Sequence, residues 1–179
     1  MPTLISGSTG VNKITDGTIV NADINASAAI AGSKISGSFG KVLQVVTYTN
    51  SGNDYFGTSS SSFVATNLTL SITPSATSSK VLVLLSTAAS NESAGRRLCY
   101  TLYRGSTNLG QSSDGMGLIL SQAGSGYIRT PLAISMLDSP STTSSTSYTL
   151  YIKNEGSSGT VECPPTTMKQ HMTLIEIGA

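Results

Sequence analysis

His171 is the sole imidazole in this chain of 179 residues. A Ser–His–Asp or Cys–His arrangement would have to use it, because a hydroxyl or thiol nucleophile needs an adjacent base. His171 stands immediately before the apolar run Met172 to Ile177. A strand-end histidine in a polar or inter-subunit contact is the expected role there. Serine is so abundant that one lying near His171 would mean little, and no Gly-x-Ser-x-Gly elbow occurs. The carboxylates are Asp16, Asp23, Asp54, Glu92, Asp114, Asp138, Glu155, Glu162 and Glu176. None forms the close pair that a glycosidase uses. Cys99 and Cys163 fall in neither a CxxC nor a metal-ligand spacing. They read as two buried thiols of a protein made in a reducing cytoplasm. Zinc would need more His or Cys, and calcium several oxygen ligands close together, whereas Asp54 and Asp114 are isolated in sequence. Gly115-Met116-Gly117 and Gly124-Ser125-Gly126 match no phosphate or dinucleotide fingerprint and read as turns. The expectation is a protein that is not an enzyme, with no catalytic residue, no metal and no cofactor.

Composition points the same way. Charged residues make up 11% of the chain, against about 25% in an average soluble domain. Ser and Thr fill the gap, at about three residues in ten. Such a surface is poor at phosphate binding and acid–base chemistry, and it suits strands and turns. Net charge is +1, and the one adjacent basic pair is Arg96 and Arg97. Nucleic acid and anionic membrane surfaces are therefore not expected partners. No apolar run approaches the roughly 18 residues of a membrane span, and no secretory signal pattern is seen.

From Lys41 onward the chain reads as short strands between Ser/Gly/Asn loops. Candidates are Val42 to Thr49, Phe63 to Ile72, Val81 to Leu85, Leu98 to Arg104, Met116 to Leu120, Tyr127 to Leu137, Tyr148 to Lys153 and Met172 to Ile177. Leu68, Leu70 and Ile72 alternate onto one face, as do Leu98, Tyr100 and Leu102, and Tyr148, Leu150 and Ile152. Val81 to Leu85 is continuously apolar and is expected to be covered on both sides. Pro131 demotes part of its strand to an edge. Eight or nine such strands predict an all-β, antiparallel β-sandwich or barrel. A jelly roll is preferred to an immunoglobulin-like sandwich, which often carries a Trp this chain lacks.

Residues 1–40 differ. Ile14, Ile19, Ile24, Ile30 and Ile35 recur at a period near five, separated by small and polar residues. Neither helix nor flat strand has that period. It suits a turning chain that shows one β-branched side chain per turn to an axis or a partner. Burying each isoleucine against copies of itself is worth roughly 1.5–3 kcal/mol. A flexible leader that orders on another surface, or a short pentapeptide solenoid, are the alternatives.

Asp16-Gly17-Thr18-Ile19, Ala22-Asp23-Ile24, Ala29-Ile30 and Ser33-Lys34-Ile35 resemble a repeat of tail-fibre and other virion-surface proteins of marine and cyanobacterial phages. The body is similar to the heads of phage fibres, jelly rolls like those of the tumour-necrosis-factor and complement families. Ser79-Lys80-Val81-Leu82-Val83, Leu102-Tyr103-Arg104-Gly105, Ser147-Tyr148-Thr149-Leu150-Tyr151 and Met172-Thr173-Leu174-Ile175-Glu176-Ile177 carry that likeness. It implies a homotrimer on the virion surface, with residues 1–40 as a trimerising arm that docks on other virion proteins. Residues 41–179 would form the head that contacts a host surface glycan or protein. A capsid decoration or connecting protein that stabilises the particle is the alternative. Candidate contact residues in the loops are Tyr55, Phe56, Asn91, Glu92, Arg96, Arg97 and Asp114, with Tyr55 and Phe56 suited to stacking on a sugar.

Overall fold

The computed structural model describes residues 41–50, 54–91, 95–121, 128–156, 159–166 and 168–178. The arm and its isoleucines, and Glu92, lie outside the described residues. Contacts group Phe39–Ala179 as one unit.

Alternating apolar residues give two antiparallel sheets. Sheet A contains β1 (Lys41–Thr49), β2 (Gly57–Thr58), β4 (Lys80–Asn91), β8 (Ile128–Asp138), β10 (Val161–Glu162) and β11 (His171–Gly178). Sheet B contains β3 (Val64–Ile72), β5 (Arg96–Arg104), β6 (Thr107–Asn108), β7 (Gly117–Leu120) and β9 (Thr146–Gly156). No helix occurs among the described residues. The main run of sheet A is β8-β4-β11-β1; β10 then β2 continue it past the end of β11, along the last residues of β4. Sheet B runs β3-β9-β5, with β6 and β7 following one another along the free edge of β5.

The expected faces form. Leu98 and Leu102 of β5, and Tyr148, Leu150 and Ile152 of β9, are fully buried. They meet Leu68 and Ile72 of β3 and, from sheet A, Val81, Val83, Leu85, Leu132, Met172 and Leu174 in one core. The architecture is that of a β-sandwich. Leu102 pairs directly with Leu150. Truncating Leu150 to alanine would remove atoms from both layers' contact and cost about 2–5 kcal/mol. Pro131 sits on β8, which pairs only with β4 among the described strands, so the edge assignment holds.

Two expectations need correction. Val81 to Leu85 is not covered on both sides: Leu84 is 38% exposed and Leu82 half-buried, because sheet B covers one face of β4 and nothing described covers the other. Strands β2, β6 and β10 were not anticipated, since two residues carry no alternation to read.

Two buried carboxylates link the layers and edges. Arg104 of β5 donates from Nη1 to both oxygens of Asp138 on β8, at 2.8 and 2.9 Å. The Tyr148 hydroxyl donates to Asp138 Oδ2 at 2.6 Å. One side chain of sheet A thus holds two of sheet B. Burial, and then the neighbouring carboxylate, raise the Tyr148 hydroxyl pKa well above its ordinary value, so it stays a donor. Beside the other edge strand, Glu176 of β11 accepts from the Ser75 backbone N–H and hydroxyl and from Gln44 of β1, all within 2.7 Å.

Candidate functional site

The two outer faces of the sandwich differ in chemistry. On sheet A, register places Val45, Ile175, Leu82 and Leu137 in one row across β1, β11, β4 and β8. The next row is Thr47, Thr173, Leu84 and Ser135, and the next Thr49, His171, Ser86 and Ala133. No residue of Lys, Arg, Asp or Glu occurs in these three rows. Val45 is 54% exposed, Leu84 38% and Leu137 51%. Charge returns only beyond the rows, with Lys80 at one end of β4 and Arg129 toward the other end of β8. Two hollows interrupt the face. One, about 340 Å³, lies between Leu84, Ser86, Ala133, Ser135 and His171. The other, about 360 Å³, lies by Ala88 and Pro131, beside Met168 and Lys169.

His171 fits this face as a polar residue. Thr49 Oγ1 lies 2.6 Å from its Nδ1 and Thr173 Oγ1 2.8 Å from its Nε2. Both nitrogens are held by hydroxyls, and among the described residues no carboxylate orients the ring as a triad requires.

The outer face of sheet B carries ion pairs. Arg97 of β5 lies between two carboxylates, 3.4 Å from Asp114 and 3.2 Å from Glu155. Lys153 of β9 stands 3.6 Å from Glu155, with its ammonium 5.2 Å from the centre of the Phe63 ring. Gly115 makes this possible. It adopts φ +73°, and its α-carbon lies against the backbone of Tyr100, where a side chain would collide with the Tyr100 carbonyl. That close approach brings Asp114 over Arg97. Cys99 is buried beneath and its thiol donates weakly to Glu155 at 3.5 Å. Cys99, Asp114 and Glu155 each offer an atom within 4.8 Å of the others. The donor set is a poor fit to zinc, having one thiol, two carboxylates and no imidazole. Burial, then Glu155, push the Cys99 thiol up to about 11, against the weaker pull of Lys153 and Arg97. It is protonated at neutral pH, and so is neither a ready nucleophile nor a ready ligand. The guanidinium supplies the positive charge between the carboxylates.

The loop candidates therefore separate. Arg97 and Asp114 are partly exposed and paired with each other. Tyr55 is 45% exposed, whereas Phe56 packs against the core. Asn91 and Arg96 are not loop surface: they are 0% and 7% exposed. The reason is that β4 extends to Asn91 and β5 begins at Arg96, so the strands bracket only residues 92–95. Asn91 donates to the Ile119 carbonyl and Arg96 to that of Thr160, at 3.0 and 2.8 Å. Cys99 and Cys163 are both buried and not bonded to each other. Sequence reasoning missed the ladder on sheet A's outer face and the stacked pair Tyr103 and Tyr151 on sheet B, whose ring centres are 3.9 Å apart. Alternation put these residues opposite the core; cross-strand register, which no local pattern supplies, assembles them.

No protein-family model matches the chain, and no curated protein matches it.

Proposed function

We propose that this chain is a virion structural protein of tail-fibre type, whose jelly-roll head self-associates as a trimer and presents its other surfaces to the host cell. The observation that carries the proposal is the neutral, aliphatic outer face of sheet A. Around a symmetry axis each residue meets or approaches its own copies. Charges there would repel and would be costly to desolvate. Rows of Val, Ile, Leu and Thr carry no such penalty, and contiguous exposed apolar patches on a polar protein mark association sites. The two hollows give room for side chains from a neighbouring copy. The strand order β8-β4-β11-β1 over β3-β9-β5-β7 supports the jelly-roll assignment, since each layer alternates early and late strands. The isoleucine-repeat arm, whose resemblance is to phage fibre repeats, supplies the setting and the number three.

The test is the mass of the protein in solution. Light scattering is expected to give three times 18.4 kDa at micromolar concentration. Leu84→Glu and Val45→Glu place a carboxylate on the outer face without touching the core, and together are expected to yield a folded species of lower mass. A wild-type monomer at that concentration would defeat the proposal.

A further inference from the structure

With sheet A turned toward its copies, sheet B is the face left to meet the host. We infer that the outer face of sheet B binds a neutral polysaccharide chain, through the stacked pair Tyr103 and Tyr151 and the hydroxyls beside it. This rests on the proposed role above, but stands on separate residues. Tyr103 of β5 pairs with Thr149 of β9, which pairs with Thr69 of β3. The row therefore runs from an aromatic ring to two hydroxyls, Thr69 Oγ1 and Thr149 Oγ1, that lie 2.7 Å apart at the exposed surface. Tyr151 sits diagonally from Tyr103, and its ring stacks on that of Tyr103 at an interplanar angle of 23°. Both tyrosines are partly exposed.

This combination fits a sugar. The C–H face of a hexose ring lies on an aromatic ring, while its hydroxyls need partners that donate and accept, as Thr and Tyr hydroxyls do. Each tyrosine holds the other's rotamer, which lowers the ordering cost of binding. The surface is a sheet face rather than a walled cavity, so it suits an extended chain. The electrostatics select the neutral kind. The charges around the platform pair off: Arg97 and Lys153 with Asp114 and Glu155, and Arg104, next to Tyr103, with Asp138. They leave no net charge for a uronic or sialic acid. Weak single sites would be multiplied by the copies in the assembly.

The experiment is affinity electrophoresis of the full chain in gels containing dextran, mannan or galactan, with dextran sulfate as the anionic comparison. Retardation is expected in at least one neutral polymer. Tyr151→Ala and Tyr103→Ala are expected to weaken it by about tenfold or more, and Tyr151→Phe to retain it, since stacking needs the ring. Light scattering and thermal melting of each variant show that mass and fold are kept. No retardation in any neutral gel, retardation only by dextran sulfate, or loss equal in Tyr151→Phe and Tyr151→Ala would each overturn the inference. A monomer that is retarded through Tyr151 would sink the trimer and leave this face standing; an unretarded trimer would do the reverse.

Discussion

Glu176 is fully buried, yet it is ionised. Burial alone would raise its pKa; the hydrogen bonds from Ser75 and Gln44 outweigh that and hold it down to about 2, against an ordinary 4.5. A carboxylate whose folded pKa is depressed stabilises the fold fully above its unfolded pKa. The stabilisation is then lost as pH falls from about 4.5 toward about 2. It amounts to about 3 kcal/mol. Urea unfolding of wild type at pH 7 and pH 3 is expected to show a large loss. Glu176→Gln should begin less stable at pH 7 and lose less on acidification. Equal pH slopes for the two proteins would refute this assignment. Alternation along β11 puts Glu176 on the same buried face as Met172 and Leu174. Its partner Ser75 lies 101 positions away, so nothing local could show why a carboxylate is tolerated there. Asn91 and Arg96 misled for the same reason. Polar residues near a Gly look like loop, and the carbonyls that receive them belong to Ile119 and Thr160, on distant segments.

The elements most legible in the sequence were those with strict alternation: β5, β9 and the end of β3. Their period-two pattern meets a core on one side only. β4 was legible as a strand but not in its surroundings, because continuous apolar sequence does not say what covers the second face. The approach to β7 turns on Gly115. Its positive φ and its contact with the Tyr100 backbone are both barred to an alanine. Gly115→Ala is expected to cost about 1–3 kcal/mol. It should also move Asp114 away from Arg97, seen as faster exchange of the Met116 amide, which donates to the Tyr100 carbonyl. Unchanged stability and exchange would show that the turn has another way to close. At Cys99 the raised pKa gives a further expectation. Alkylation at pH 7 should be slow in the folded protein and rapid in urea.

At the scale of the whole molecule, the two layers of the sandwich present different chemistry. One outer face is neutral and aliphatic; the other holds ion pairs, hydroxyls and stacked rings. The proposed subunit number and setting rest on the resemblance of the arm's sequence, while the difference between the two faces comes from register. That difference could not be read along the chain, because each row draws one residue from each of three or four strands. It also fits the low charge content: in the proposed trimer, a face turned to copies of itself would have no use for ions.

β11 is made long after β1 and β4, yet it lies between them, paired to β1 along Lys41–Thr49 and to β4 along Lys80–Ser86. Until residues 171–178 have been synthesised, β1 has no neighbour in its sheet and β4 has one bare edge, both rich in Val and Leu. Those are the conditions under which nascent chains pair with the wrong strand. The order of synthesis then becomes a clock: the neutral face cannot be laid out before the inserted strand arrives. Deleting residues 171–178 is expected to yield insoluble protein rather than a soluble monomer, read by the fraction remaining in the supernatant after lysis.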